Sequence, residues 1–248
     1  MNKITAIIIA RNEEQNIARS IGSLNGFSEV IVMDSGSTDR TVEMARSMGA
    51  AVYQTDWPGY ARQRQRSLQK AKNSWVLFLD ADEALDDPLN REMLNLDLAG
   101  PVRGYFLKRN NYFLGKMIRH SRWGNDWQLR LFQKDSASIP EVDIHEGVLI
   151  NGPTGRLVAG CIKHHTVQNL FRYLEKINEY TSLEAKQKNR EGRRFSALRL
   201  LWEPLAEFWK LYVVLQGWRE GVRGLAIAGL SALGRFVVMA KIREAGSG

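Results

Sequence analysis

Apolar and polar positions alternate in a regular way along the first 85 residues of the chain. Ile4–Ala10 is an almost uninterrupted apolar run, typical of a strand that is buried on both faces of a sheet. Glu14–Leu24 then carries its apolar side chains at helical spacing. Because this alternation repeats with short connections, it predicts βαβ units and a mostly parallel sheet. Further strands are predicted at Glu29–Met33, Ala51–Gln54 and Trp75–Leu79, and further helices around Val42–Met48 and over Tyr60–Lys72.

The pattern loosens after Pro88, and from Gln168 onward it is helical. Pro204 is expected to kink or split one of these helices, because its ring removes a hydrogen bond from the helix interior. Gly224–Gly234 is uncharged but well short of the roughly 20 apolar residues of a membrane span, and Arg235 follows it, so no transmembrane span is expected. We predict a helix near Leu89–Leu98, strands at Gly104–Arg109, Gln128–Gln133, Gly147–Leu149 and Leu157–His164, and helices over Leu170–Lys188, Ala197–Gln216 and Arg223–Ile242.

Composition narrows the class of protein only in part. Cys161 is the single cysteine among 248 residues, so an internal disulfide is excluded and an oxidising compartment is not implied. The first residues lack the pattern of a signal peptide, so a cytoplasmic location is expected. The net charge of +8 favours an anionic partner, which could be nucleic acid, lipid headgroups or a phosphorylated substrate. No nucleic-acid-binding motif is recognised in the sequence, so we expect no nucleic-acid partner.

Polar clusters follow three of the predicted strands, at Arg11–Glu14, Asp34–Asp39 and Asp80–Glu83. Ligands of an open parallel sheet bind outside the carboxyl ends of its strands, so the three clusters are expected at one edge. Asp80 and Asp82 supply closely spaced carboxylates, which suit Mg²⁺ or Mn²⁺ bound to phosphate oxygens. The same acidic residues could instead cap the N-terminus of a helix.

These clusters and the strands before them resemble a known family. The segments ITAIIIARNEEQNI, VIVMDSGSTDRT and WVLFLDADEAL are similar, in this order and over about Ile4–Leu85, to the nucleotide-binding half of family 2 glycosyltransferases of the GT-A fold. The resemblance implies an α/β fold with a Rossmann-like, mostly parallel sheet. It implies a catalytic domain over residues 1–166, with a nucleotide-binding half at 1–85 and an acceptor half at 86–166. A helical, amphipathic C-terminal region would occupy residues 167–243, followed by a tail at 244–248.

The resemblance also implies roles for individual residues. Ala10–Glu13 would line the nucleobase and the ribose, and Asp34 would bind the uracil edge. Asp80 would lie near the ribose, and Asp82 would ligate the Mg²⁺ or Mn²⁺ ion on the diphosphate. The nucleotide-binding residues predicted in this way are Ala10, Arg11, Asn12, Glu13, Asp34, Ser35, Asp39, Gln63, Asp80, Ala81 and Arg130.

Two further segments resemble bacterial lipopolysaccharide core-biosynthesis members of the family. Asp56–Tyr60 followed by Gln63 is similar to one of their segments, although Gln65 stands where an Asn is usual. Trp127–Phe132 resembles a segment whose arginine, here Arg130, helps to hold the diphosphate.

Val142–Glu146 resembles the V-x-x-H-E element of the same subgroup. There His145 could complete the metal site, with a structural histidine as the alternative. Glu146 or Asp143 would be the catalytic base, because inverting glycosyl transfer needs one carboxylate to take the proton of the acceptor hydroxyl. A metal ion and an arginine would stabilise the charge of the leaving nucleoside diphosphate. His164–His165 could also bind metal, but neighbours on a strand point to opposite faces, so one is expected in the core and the other at the surface.

The C-terminal third combines aromatic and basic side chains. Apolar residues between Phe195 and Val213 recur at helical spacing, and a basic run lies over Lys186–Arg199. Such a helix can pack on the catalytic domain, form a dimer interface or lie in a membrane interface, and the basic run can also be a solvated face. Gly217–Gly224 resembles a Gly-rich element of the lipopolysaccharide enzymes. We expect peripheral association with the anionic inner face of the cytoplasmic membrane.

Together these features predict an inverting, metal-dependent hexosyltransferase that uses a UDP-sugar. Glucose is the first choice of donor sugar. The nearest acceptor within the resemblance is a glycolipid, the inner-core heptose of lipopolysaccharide, joined by a β-1,4 linkage. The same fold could instead transfer sugar to a polyprenyl phosphate or another cell-surface glycan. A catalytically inactive scaffold that binds nucleotide or lipid is the non-enzymatic alternative.

Overall fold

The computed structural model describes residues 3–140 and 147–245, which form two compact units. The first unit contains the chain up to Asn110 together with Asp126–His165. The second contains Asn111–Asn125 together with the chain from Thr166 onward. Each unit has its own clusters of buried apolar side chains.

Four parallel strands and three helices begin the first unit, as the alternating pattern predicts. They are β1 (Ile4–Ala10), α1 (Ile17–Gly22), β2 (Glu29–Asp34), α2 (Thr41–Ser47), β3 (Ala51–Gln54), α3 (Tyr60–Leu68) and β4 (Trp75–Asp80). Strand β1 pairs with β2 on one side and β4 on the other, so the order is β3-β2-β1-β4.

The central strands bury both of their faces. Ile8 and Leu77 belong to one apolar cluster, whereas their chain neighbours Ile7 and Phe78 belong to another. Successive side chains of a strand point to opposite faces, so the two clusters cover the two sides of the sheet. Two-sided burial is the physical reason that these strands are continuous apolar runs in the sequence.

Antiparallel pairing extends the sheet beyond β4. The further elements are β5 (Glu83–Leu85), α4 (Asp87–Leu94), β6 (Gly104–Phe113), β7 (Lys116–Met117), β8 (Asp126–Gln133), β9 (Ala137–Ser138), β10 (Leu149–Ile150) and β11 (Thr154–Val167). Strand β8 is antiparallel to β4 and to β6, and β11 is antiparallel to β5. The order is therefore β4-β8-β6-β11-β5, while β9 and β10 form a separate pair. The Asp86 side chain accepts a hydrogen bond from the Leu89 N–H and caps α4.

The second unit is helical apart from β7 and the strand ends that adjoin it. Its helices are α5 (Leu170–Arg190), α6 (Ala197–Trp209), a π-helical turn (Lys210–Val214), a 3₁₀ turn (Gly217–Glu220) and α7 (Val222–Ala245). Asn169 and Ser196 cap the first turns of α5 and α6 with their side chains. Helix α7 packs against both of these helices, and Ala185 and Met239 are buried in the cluster that joins α5 to α7.

The structure bears on two expectations for this region, a helix kinked or split at Pro204 and the absence of a membrane span. Helix α6 is not split at Pro204 but continues to Trp209, and the next turn widens into the π-helix. A proline in a helix interior removes one N–H donor, and the packing of α6 on α7 outweighs that loss here. Helix α7 has 24 residues and is, by length and composition alone, long and apolar enough to cross a membrane. It continues through Arg235, whose guanidinium pairs with Glu184 at 2.8 Å.

Candidate functional site

The carboxyl ends of β1, β2 and β4 lie side by side. In the parallel registers of β1, Ala10 pairs with Asp34 and Ile9 pairs with Asp80. The three polar clusters that follow these strands therefore meet at one edge of the sheet, as predicted from the sequence.

Hydrogen bonds join the loop after β1 to the loop after β2. Asn12 has a left-handed φ of 55°, and its side-chain oxygen accepts a hydrogen bond from the Thr38 N–H at 2.8 Å. The Glu14 N–H donates to Asp39 Oδ2 at 3.2 Å. Burial alone would raise the pKa of Asp39, but hydrogen bonds from Thr41 and Glu14 lower it overall. Asn12 and Asp39, both predicted nucleotide contacts, thus also hold the two loops together.

The other predicted contacts at this edge differ in exposure. Ala10 and Ala81 are buried, whereas Arg11 is exposed. Glu13 is half-buried, and its carboxylate accepts a hydrogen bond from the Asn16 side chain at 2.6 Å. Arg11 is therefore the member of this group whose side chain extends into solvent.

Asp34, Ser35 and Gln63 form a buried group at the end of β2. The Asp34 carboxylate accepts hydrogen bonds from the backbone N–H of Ser37, at 3.1 Å, and from its hydroxyl. Gln63 is fully buried and donates to Ser35 Oγ at 3.2 Å and to Thr55 Oγ1 at 2.7 Å. The Gln63 carbonyl oxygen has no donor among the residues that the structure describes. The fold thus brings together three side chains that were predicted to bind the nucleotide.

Asp80 belongs to an arginine–carboxylate cluster formed by Arg64, Asp80, Glu83, Arg109 and Arg130. Arg130 donates to Asp80 Oδ2 at 2.7 Å and to Glu83 Oε1 at 3.0 Å. Arg64 donates to Asp80 Oδ1 at 3.2 Å, and Arg109 donates to Glu83 Oε1 at 3.0 Å. Burial opposes the ionisation of Asp80, but the guanidinium groups of Arg130 and Arg64 hold its pKa well below the usual range. Asp80 therefore remains ionised at neutral pH.

Arg130, the predicted diphosphate ligand, is engaged inside this cluster. Its side chain is buried, and burial alone would lower its pKa, but Asp80 and Glu83 raise the pKa instead. Its Nε has no acceptor among the described residues. A direct contact between Arg130 and a diphosphate stays a prediction.

Asp82 lies beside His164, one of the two adjacent histidines of β11. The β5–β11 register sets His164 opposite Glu83, and its Nε2 lies 3.3 Å from Asp82 Oδ2. Both side chains are largely buried, with 11% of His164 and 14% of Asp82 exposed. Of the neighbouring histidines, His164 is therefore the buried one, and it reaches the predicted metal ligand.

The chemistry of this pair fits a divalent metal ion. Two ligands at adjacent positions of an octahedral ion, with bonds of about 2.1 Å, stand about 3 Å apart. The separation between Asp82 Oδ2 and His164 Nε2 is close to this value. An imidazole ligand favours a transition-metal ion such as Mn²⁺ over Mg²⁺. In the described part of the chain no group of three or more His, Cys, Asp or Glu side chains is placed to hold a metal.

Three predicted site residues, Asp143, His145 and Glu146, lie outside the described residues. Their roles as catalytic base and as metal ligand stay predictions.

The residues that sequence reasoning missed share one signal. Arg109 is a charged residue on a strand whose neighbour Leu107 is fully buried, and Arg64 is a charged residue on α3 next to the buried Gln63. A charged side chain at a largely buried position needs a partner of opposite charge, so each of these two arginines indicates an ion pair. The sequence does not identify the partner residue, because the partner depends on which strands are adjacent in the sheet.

A comparison with protein families agrees with this geometry. The sequence matches the family model of glycosyl transferase family 2 over residues 5–148. The chain belongs to this family and is a glycosyltransferase with an α/β fold of the GT-A class and a helical C-terminal region.

Curated relatives match almost the whole chain. The lipopolysaccharide core biosynthesis glycosyltransferase LpsC of Rhizobium meliloti is 31% identical over 250 residues, which cover 97% of this chain and 92% of LpsC. An uncharacterised glycosyltransferase of Rickettsia typhi is 31% identical over 256 residues, which cover 98% of this chain and 88% of that protein.

Solved structures with local similarity include glucosyl-3-phosphoglycerate synthase from Mycobacterium tuberculosis. Its complex with Mn²⁺ and UDP-glucose is 28% identical, with a TM-score of 0.35 and coverage of 44% of each chain. Its complex with Mn²⁺, UDP-glucose and phosphoglyceric acid is 18% identical, with a TM-score of 0.48 and coverage of 78% of this chain and 81% of that one.

Proposed function

We propose that this glycosyltransferase is metal-dependent and inverting, and that it transfers a hexose from a UDP-sugar to a membrane-borne glycolipid. Glucose is the first choice of hexose. The proposed acceptor is the inner-core heptose of lipopolysaccharide. One observation carries the proposal: the ends of β1, β2 and β4 meet at the edge where Asp82 contacts His164.

The donor end of the site is supported by the buried group at β2 and by the arginine–carboxylate cluster. Asp34, Ser35 and Gln63 are held rigidly by hydrogen bonds, so they are preorganised to receive a nucleobase. Asp80 is held by two guanidinium groups, which fix its carboxylate for the ribose. The same guanidinium groups add positive charge beside the expected position of the diphosphate.

The metal end of the site is supported by the Asp82–His164 pair. We assign these two side chains as metal ligands, with phosphate oxygens, water or His145 at the other positions. When bound, a divalent ion would neutralise the charge that develops on the leaving UDP. Of the two expected ions, Mn²⁺ accepts the imidazole donor more readily than Mg²⁺.

The chemistry of transfer needs one base from the chain. Glu146, or Asp143 as the alternative, would take the proton of the acceptor hydroxyl as its oxygen bonds to the anomeric carbon. The bond from that carbon to the UDP oxygen breaks on the opposite face, so the configuration inverts. No covalent bond to the protein is required.

The acceptor class is supported by the name of LpsC, a lipopolysaccharide core enzyme that matches 97% of this chain. A glycolipid acceptor resides in a membrane, and we place the protein on the inner face of the cytoplasmic membrane as a peripheral protein. The net charge of +8 is compatible with an anionic surface and with a phosphorylated acceptor.

The test is UDP release from UDP-glucose, with Mn²⁺ or Mg²⁺, in the presence and absence of lipopolysaccharide truncated to its heptose inner core. We expect release that depends on both the metal and the acceptor. Asp82→Asn should abolish it, whereas Asp87→Asn, an exposed acidic position of α4, should not. Polyprenyl phosphate is tested in parallel as the alternative acceptor. Absence of release with every UDP-sugar and acceptor would reject the proposal.

A further inference from the structure

Helix α6 exposes its large apolar side chains to solvent. None of its residues is buried, and five leucine and tryptophan residues on it are between 62% and 76% exposed. Their spacing of three, one, three and four residues places all of them within about 100° of the helix circumference. We call this surface the apolar stripe; it consists of Leu198, Leu201, Trp202, Leu205 and Trp209.

The core of the second unit does not need the apolar stripe. Helix α7 supplies Ile227, Val238 and Met239, which are at most 2% exposed. The opposite side of α6 faces this core, where Leu200 packs against the cluster of α5 and α7. Trp218, in the 3₁₀ turn beyond the end of α6, is also exposed, at 56%. A contiguous exposed surface of this kind marks an interaction site.

The surroundings of the apolar stripe are basic. Arg194, Arg199 and Lys210 are exposed before, within and just after α6. The two acidic residues of α6, Glu203 and Glu207, are both held in ion pairs with arginines of the same unit. The charge left to attract a partner is therefore positive.

We propose that the apolar stripe docks on an anionic lipid bilayer, with α6 lying in the plane of the membrane interface. Tryptophan is enriched at the boundary between headgroups and acyl chains, and leucine penetrates beyond it. Basic side chains beside such a face attract anionic headgroups, whereas two copies of this surface would repel each other. In this proposal α6 is the membrane-bound element, and α7, which packs against α5 and α6, does not span the bilayer. That the bilayer also holds the acceptor rests on the proposed function; the docking itself does not.

The test is co-sedimentation of the full chain with vesicles of phosphatidylcholine, with and without phosphatidylglycerol. We expect binding that needs the anionic lipid and weakens at high salt. The double variant Trp202→Gln/Trp209→Gln should lower the partition coefficient about 100-fold, since each tryptophan contributes about tenfold. Arg199→Gln should lower it about fivefold at low salt. Val158→Gln is the matched control, because Val158 is 73% exposed on β11 and outside the stripe.

Four results would overturn the docking proposal. They are no vesicle binding by the wild type, equal binding by the double variant, resistance to alkaline carbonate extraction, and a dimer in vesicle-free solution that the double variant abolishes. Resistance to extraction would mean that α7 spans the membrane, and the dimer would mean that a second copy covers the stripe. Thermal melts with UDP and Mn²⁺ in vesicle-free solution separate the two proposals. If the double variant keeps its UDP-induced rise in Tm but no longer binds vesicles, only membrane docking has been lost. If the wild type binds vesicles but does not release UDP, only the proposed function is contradicted.

Discussion

Replacing Glu83 with glutamine tests whether the arginine–carboxylate cluster stabilises the fold. Glu83 is fully buried, accepts the Asp80 N–H at 3.0 Å and pairs with Arg109 and Arg130, both at 3.0 Å. Glu83→Gln keeps the shape and an acceptor oxygen but removes the charge. Loss of one partner from a buried ion pair costs about 3–5 kcal/mol. Arg130 retains Asp80, so we expect the lower end, about 3 kcal/mol.

The assay is thermal unfolding followed by circular dichroism. For a chain of this length, a loss of about 3 kcal/mol corresponds to a fall in Tm of about 6–12 °C. Glu43→Gln is the matched control, because Glu43 pairs with Arg40 while both side chains are 70% exposed, and its loss should cost less than about 1 kcal/mol. If the Tm of Glu83→Gln lies within about 2 °C of the wild-type Tm, roughly the change expected for the control, the cluster does not stabilise the fold and the reasoning is wrong.

Three further predictions concern the metal pair, acid stability and one glycine. UDP with Mn²⁺ at about 100 times Kd should raise the Tm of the wild type by about 5–10 °C. Asp82→Asn and His164→Asn should each remove the part of this rise that depends on Mn²⁺. A full rise in His164→Asn would exclude His164 as a metal ligand. The pKa of Asp80 is depressed in the folded protein, so its ionisation stabilises the fold fully above about pH 4, and this stabilisation is lost as the pH falls below that value. Asp80→Asn should therefore flatten the dependence of Tm on pH between about 2 and 4. Parallel curves for the variant and the wild type would contradict this expectation. Gly160→Ala should lower the free energy of unfolding by about 2 kcal/mol in urea titrations, because its Cβ would lie 2.1 Å from the Asp86 carboxylate that caps α4. Gly229→Ala, with open space at its Cβ, should cause no such loss. Equal unfolding midpoints for the two variants would refute this prediction.

Local pattern was sufficient for most elements of the fold. Ile4–Ala10 and Trp75–Asp80 were predicted within one residue, because strands buried on both faces are continuous apolar runs. Parallel order then placed Asp34 and Asp80 at one edge, since the carboxyl ends of parallel strands coincide.

Pattern failed where an outcome depended on competing interactions. The split at Pro204 did not occur, because tertiary packing of α6 on α7 outweighs one lost hydrogen bond. The sequence did not show how the charge of Arg235 is balanced within the predicted helix over Arg223–Ile242; Glu184 on another helix pairs with it. Neither partner is near in sequence, so neither compensation was visible.

The sequence by itself determined the α/β class, the alternation of the first strands and helices along the chain, the edge at which ligands are expected and the resemblance to family 2 glycosyltransferases. These features follow from short-range periodicity and from residues that directly follow a strand. Only the tertiary structure decided that His164 lies beside Asp82, that Arg64, Arg109 and Arg130 share the carboxylates of one cluster, and that the apolar stripe of α6 stays exposed. The physical reason is that these outcomes depend on which distant strands and helices become neighbours, and antiparallel register across a long connection leaves no local signal in the chain.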